Sequence, residues 1–96
     1  SRDTPQHRLF EHLQAARQAR DWRLLAALAQ DAIQKSPQWL TPYAMAGEAY
    51  ANLGQVERAV PLLEYVEKYG QGNPDYDAAL RHAAEVRASI RSRYGR

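Results

Sequence analysis

The sequence contains no cysteine, so it can form neither a disulfide nor a thiolate site. That absence suits oxidising and reducing compartments alike and leaves the location open. β-Branched residues are few and alanine is abundant, which favours helices over strands. No apolar run approaches the roughly 18 residues of a membrane-spanning helix, so we expect no membrane insertion. The 96 residues suffice for one small all-α domain, and because the first residue is Ser rather than Met we expect a fragment or a processed form.

Residues suited to catalysis or metal binding are sparse. His7 and His12 lie five positions apart, which is a poor spacing for one face of a helix, and His82 is far from both in the sequence. The glycine-containing segment 70–74 lacks the Lys and the Ser or Thr that follow in a phosphate-binding loop. We therefore expect a protein that is not an enzyme and that uses no cofactor or metal.

Charge is distributed unevenly along the chain. The formal net charge is +2, yet residues 81–96 carry five arginines against Glu85 alone. Such a basic segment raises the alternative of nucleic-acid binding, because arginines neutralise phosphates. A solvated C-terminal helix would show the same composition, so we regard nucleic acid as the weaker hypothesis.

Capping residues and prolines divide the chain into five helical segments. Thr4, Asp21, Thr41 and Asn73 are the predicted N-caps, and proline follows three of them. Gly54 is placed to adopt the left-handed conformation that ends a helix. The connections are short, which predicts antiparallel hairpins: hairpin 1 at about 4–36, hairpin 2 at about 41–70, and a last helix at about 73–94.

The two hairpins correspond at one constant offset, with 5–37 aligned on 39–71. In the second copy Tyr43, Gly47 and Tyr50 stand at the spacing W-x2-L-G-x2-Y, and Ala59 with Leu63 stands at A-x3-F. This pattern resembles the tetratricopeptide repeat, a helix–turn–helix unit of about 34 residues, which is also the offset between the copies. The resemblance implies a short right-handed α-solenoid of two such hairpins plus a C-terminal capping helix in one domain, 1–96.

The small residues at the predicted helix crossing support that interpretation independently. A mid-helix glycine costs roughly 1 kcal/mol relative to alanine, and Gly47 with Ala59 would let two helices approach closely. We expect Tyr50 to fill space between the hairpins. The first copy matches the pattern more loosely, and Gln71 stands where the closing proline is expected, with Pro74 three residues later. A plain helical bundle with an incidental glycine remains the alternative.

In that family, the first helix of each hairpin lines a concave face that binds partners. The resemblance therefore implies a groove that takes a peptide or helix of a partner protein. The groove residues would be Phe10, Gln14, Arg17, Ala44, Glu48, Ala51, Asn52, Asp77 and Arg81, with Glu85 beside the last two. Some family members hold a C-terminal carboxylate with Lys and Asn, but Ala44 and Glu48 occupy the matching places here, so we expect no such clamp. Ordinary solvated surface, or contact with further repeats, is the alternative for this face.

Two further interpretations stay open. The exposed helix faces could instead join copies of the chain, which makes self-association the second functional class. Trp39, between the copies, could anchor a partner or pack against a neighbouring hairpin. Tyr65, Tyr69 and Tyr94 are predicted to be core or half-buried residues.

Overall fold

The first two helices begin at capping residues. In a computed structural model, which describes residues 4–95, Thr4 Oγ1 accepts a hydrogen bond from His7 N at 3.0 Å. Asp21 Oδ1 likewise accepts one from Leu24 N at 3.2 Å. Both bonds satisfy amide groups that the first turn of a helix leaves free, so these two predicted N-caps are confirmed.

The helices are α1 (Pro5–Gln18), α2 (Trp22–Lys35), α3 (Thr41–Asn52), α4 (Val56–Tyr69) and α5 (Asp77–Tyr94), with a short 3₁₀ turn at Pro74–Tyr76.

The other two helix starts differ from the prediction. Thr41 is the first residue of α3 rather than its cap, and buried Leu40 takes the cap position without a side-chain hydrogen bond. Burial of that leucine in the core holds the helix start in place instead. Asn73 Oδ1 accepts a hydrogen bond from Asp75 N at 3.0 Å, but it caps the 3₁₀ turn, and α5 begins only at Asp77. The part of the chain that is described contains no strand, so the all-α prediction is confirmed.

The backbone repeats with the period expected from the sequence. Helices α2 and α4 have equal lengths, and their first residues, Trp22 and Val56, stand at the same offset as the two aligned segments. The turns before them repeat as well: Asp21 N donates to Ala16 O at 3.0 Å, and Gln55 N donates to Tyr50 O at 2.8 Å. The two hairpins therefore share the geometry of the turn and of the second helix, although few side chains are identical.

Helix α3 lies at the centre and packs against the other four helices. Nearly all of its residues are buried, which explains why it is rich in small side chains and has no solvent-facing stripe. A Cβ placed on Gly47 would lie 2.5 Å from Leu63 Cδ2 and 2.7 Å from Leu63 Cγ. The close approach predicted for Gly47 is therefore confirmed, with α4 as the neighbouring helix.

Tyr50 joins the two hairpins, as predicted. Its side chain is buried, its hydroxyl accepts a hydrogen bond from Gln30 Nε2 of α2 at 3.2 Å, and it accepts another from Arg58 of α4 at 3.1 Å. The Arg58 guanidinium also lies 4.3 Å from the ring centroid. Tyr50 is thus anchored on both sides by helices of different hairpins.

Aromatic residues outside the centre follow the predictions only in part. Trp39 and Tyr65 are half-buried against the core, and the Tyr65 ring stacks on Tyr43 with centroids 4.3 Å apart. Tyr69 and Tyr94 are exposed, at 52% and 44%, so of the predicted alternatives, core or half-buried, a core position is excluded for both. Both lie at the C-terminal end of a helix, where neighbouring helices no longer cover the side chain.

Candidate functional site

A groove runs across the odd-numbered helices and consists of two cavities. The first has a volume of about 420 Å³ and the second about 350 Å³, and each is lined by residues from α1, α3 and α5. Arg17, His82 and Glu85 line both cavities. The cavities are therefore neighbouring halves of one surface, which we call the groove.

Three polar side chains form a bridge where the two halves adjoin, since two of them, Arg17 and His82, line both cavities. Glu48 Oε1, on α3, lies 2.5 Å from Arg17 Nε on α1 and 3.0 Å from His82 Nε2 on α5. An ionised carboxylate only accepts hydrogen bonds, so both nitrogens donate to it. Asn52 Nδ2 donates to the Glu48 backbone carbonyl at 2.9 Å and supports the same turn of α3. One carboxylate thus connects the three helices that form the groove.

The surroundings of Glu48 determine its charge state. Burial raises the pKa of its carboxyl group, whereas the hydrogen bonds and positive charges of His82 and Arg17 lower it. The lowering prevails, so the pKa of Glu48 lies below its ordinary value. Glu48 is therefore ionised at neutral pH, and the Arg17 guanidinium within the same bridge balances its negative charge.

Most of the predicted groove residues do line the groove. The first cavity contains Ala51 and Asn52 beside the bridge, and the second contains Phe10, Gln14 and Arg81. These residues come from three helices that are far apart in the sequence, so the tertiary structure brings together what the resemblance implied.

Two predicted groove residues do not belong to it. Ala44 is fully buried in the hydrophobic core, because α3 is covered on almost every side. Asp77 is exposed at the start of α5 and lines neither cavity. The residues directly after it, Ala78 and Ala79, do line the second cavity, so the register of α5 turns Asp77 to a different side of the helix.

Several groove residues were missed from the sequence. The most consequential is His82, and Met45 lies with it in the second cavity. The first cavity adds Trp22, Arg20 and Arg93. A signal for His82 existed: it stands 34 residues after Glu48, which is the offset that relates the two hairpins, and Glu48 was itself a predicted groove residue.

Unpaired positive charge is concentrated at this surface. Arg20 and Arg93 line the first cavity and Arg81 lines the second, and none of them forms an ion pair with another described residue. Arg87, by contrast, lines neither cavity and contacts Glu67 of α4 at 3.2 Å. The arginines of α5 therefore belong to different surfaces and do not form one basic stripe.

Two other surfaces are notable. An apolar cavity of about 410 Å³ lies between α1 and α2 and is lined by His12, Ala15, Ala16, Ala19, Asp21, Leu24 and Leu28. Leu24 is 46% exposed there. At the end of α4, the Tyr69 ring lies 4.6 Å from Tyr65 and carries the ammonium group of Lys68 at 5.2 Å.

Within residues 4–95, no group of three or more His, Cys, Asp or Glu side chains could hold a metal ion. None of the described helices has the length and hydropathy needed to cross a membrane.

Comparisons with protein-family models, with curated proteins and with solved structures give no match to this chain. The groove geometry and the repeat pattern are therefore the observations from which a function can be argued.

Proposed function

We propose that this protein is a non-catalytic interaction module of the tetratricopeptide type, which binds a peptide or a helix of a partner protein in the groove. The starts of α2 and α4 and the hydrogen bonds of the turns before them recur at the length of one such repeat, which supports the repeat assignment. The packing order supports a short solenoid, because each helix packs on the next, α1 packs on α3 and α3 packs on α5. Its right-handed sense follows from the resemblance to the tetratricopeptide family. In this assignment α5 is the capping helix.

The observation that carries the proposal is the groove itself. It crosses all three odd-numbered helices, which are the helices that line the concave face in such a solenoid. Together its two halves form a concave surface, and each half can accommodate one or two side chains of a bound peptide or helix.

The lining of the groove suits a peptide. Phe10 and Trp22 are partly exposed and supply apolar surface, while Gln14 and Asn52 supply amide groups that can bond to a peptide backbone. The Glu48 bridge is already neutralised, so it can orient a ligand without repelling it. A mixed apolar and amide surface of this kind is typical of interfaces with extended segments.

The test begins with a random 12-residue peptide library displayed on phage and selected on the wild-type protein. Affinities of the selected peptides are then measured by fluorescence anisotropy for Phe10→Ala and Glu48→Arg. Each change should weaken binding at least about tenfold, the loss expected when one well-packed contact of about 1.4 kcal/mol is removed. Circular dichroism should show unchanged helicity.

A matched control is available on another surface. Leu24→Ala removes an exposed side chain of the apolar cavity between α1 and α2 and should leave the affinity unchanged. If the selected peptides bind Phe10→Ala and Glu48→Arg as tightly as wild type, the groove is not the binding site.

Self-association is the second candidate, and the apolar cavity between α1 and α2 favours it. Ala15 and Ala16 correspond to Ala49 and Tyr50 of the second hairpin, where α2 covers the equivalent surface. In the first hairpin, no described helix covers it. Size-exclusion chromatography with light scattering tests this: a dimer that Leu24→Glu converts to monomer supports it, and a monomer at all concentrations refutes it.

A further inference from the structure

Arg20 adopts a backbone conformation that arginine normally avoids. Its φ is +56°, in the left-handed region. The corresponding residue of the second hairpin, one repeat later, is Gly54 with φ +78°. A residue with a Cβ in this conformation is destabilised by roughly 1–2 kcal/mol relative to the right-handed one, and glycine is free of that cost. The same turn is therefore built with glycine in one hairpin and with a strained arginine in the other.

The side chain at this strained position faces the groove. Arg20 lines the first cavity from the α1–α2 turn, and Arg93 lines it from the last turn of α5. Neither forms an ion pair with another described residue. The third arginine of this cavity, Arg17, is already paired with Glu48 at 2.5 Å. Two unpaired guanidinium groups thus remain in one cavity, and one of them is held there at a conformational cost, as residues at binding sites often are.

We propose that the first cavity binds a carboxylate side chain, Asp or Glu, of the peptide that occupies the groove. Arg20 and Arg93 donate to the carboxylate, and the partly exposed Trp22 contacts the apolar part of the same peptide. This assignment rests on the proposed function and adds the chemistry of the ligand. It places the recognition of this carboxylate at the Arg20 end of the groove, whereas the Phe10 end combines Phe10 with Arg81 and Glu85.

The acidic residues of the groove favour a peptide over a nucleic acid. Glu85 lines both cavities and forms no ion pair with another described residue. A continuous row of phosphates along the groove would approach that carboxylate and be repelled by it. A peptide can instead place one carboxylate between Arg20 and Arg93 and a neutral or basic residue beside Glu85.

The peptide selection described above tests this proposal through its sequence readout. Peptides selected on the wild-type protein should be enriched in Asp and Glu at one position relative to the unselected library. Their affinity should fall about 10- to 100-fold for the double variant Arg20→Gly/Arg93→Gln, because two charge-assisted hydrogen-bonding groups are lost. Arg20→Gly introduces the residue found at the equivalent turn, so the fold should persist, and circular dichroism verifies that.

A charge-matched control separates specific contact from general attraction. Arg23→Gln/Arg91→Gln removes the same charge from exposed positions that line neither cavity and should change the affinity less than about twofold. Replacing the enriched acidic residue of a selected peptide by its amide should abolish the difference between wild type and Arg20→Gly/Arg93→Gln.

The outcomes separate this inference from the proposed function. Peptides that depend on Phe10 and Glu48 but show no acidic preference, or that bind Arg20→Gly/Arg93→Gln normally, refute the carboxylate site alone. A selection without any groove-dependent peptide refutes both proposals. Displacement of a selected peptide by a 12-nucleotide single strand at 150 mM salt would show that phosphate, not carboxylate, is the preferred anion, and would overturn the inference.

Discussion

Replacing Gly47 by alanine should destabilise the protein although alanine is the better helix former. The added Cβ would lie 2.5 Å from Leu63 Cδ2 and 2.7 Å from Leu63 Cγ, whereas ordinary contact begins at 3.4 Å. Leu63 is fully buried and cannot move into solvent. Overpacking of this kind costs about 2–3 kcal/mol, and the gain in helix propensity returns about 1 kcal/mol. The net loss should be about 1–2 kcal/mol.

A double-mutant cycle makes the reasoning sharper. Leu63→Ala alone should lose about 2–5 kcal/mol because it leaves a cavity. In that background, Gly47→Ala no longer meets the leucine, so it should stabilise the protein by up to about 1 kcal/mol. The sign of the Gly47→Ala effect should therefore reverse between the two backgrounds, with a coupling energy of about 2–3 kcal/mol.

Urea unfolding followed by circular dichroism at 222 nm measures all four proteins of the cycle. The thermal midpoint of Gly47→Ala should fall by about 4–8 °C for each kcal/mol lost. A Gly47→Ala protein that is more stable than wild type, or an effect of the same sign in both backgrounds, would refute close contact between α3 and α4 as the reason for the glycine.

Three more changes test other parts of the structure, each by urea unfolding. Glu48→Gln should cost about 1–2 kcal/mol at pH 7, since it removes the ionised partner of a half-buried bridge. Because folding lowers the pKa of Glu48, the stability that its charge contributes is complete above the pKa of the unfolded chain and is lost as the pH falls through the lowered pKa of the folded protein. The difference between Glu48→Gln and wild type should therefore shrink on acidification, and a difference that grows as the pH falls contradicts this. Arg20→Gly should be neutral or stabilising by up to about 1 kcal/mol, whereas Arg20→Val should lose about 1–2 kcal/mol; equal effects would argue against strain. Tyr43→Phe removes a hydrogen bond of 2.6 Å to the Pro37 carbonyl and should cost about 1 kcal/mol at pH 7. Burial and, to a lesser extent, the neighbouring Tyr65 raise the pKa of Tyr43 to about 12. Wild type should therefore lose stability between pH 10 and 12 more steeply than Tyr43→Phe does. Parallel plots of unfolding free energy against pH would contradict that.

Local signals predicted the helices well where a side chain or a glycine acts on its own turn. Thr4 and Asp21 cap the helices that follow them, and Gly54 is left-handed after α3. These outcomes depend on bonds between residues close together in the chain, so the neighbouring sequence contains their cause. Thr41 failed as a cap because burial of Leu40 in the core outweighs one exposed hydrogen bond.

The groove was predicted only as far as the repeat pattern extends. The pattern placed Gln14 and Asn52 correctly because the positions facing one side recur with each repeat. It misplaced Ala44, since exposure depends on how closely the neighbouring helices cover α3. It also gave no warning of Arg20, whose side chain belongs to the groove through the conformation of a turn.

The amino-acid sequence by itself determined the five helices, their hairpin pairing and the close approach at Gly47, because caps, prolines and small residues act locally or recur with a period. Only the tertiary structure decided that Glu48 meets Arg17 and His82, which are distant from it along the chain. Such a meeting depends on the crossing angles and the register of three helices together. These angles result from many weak packing contacts in the whole core, and no short segment contains them.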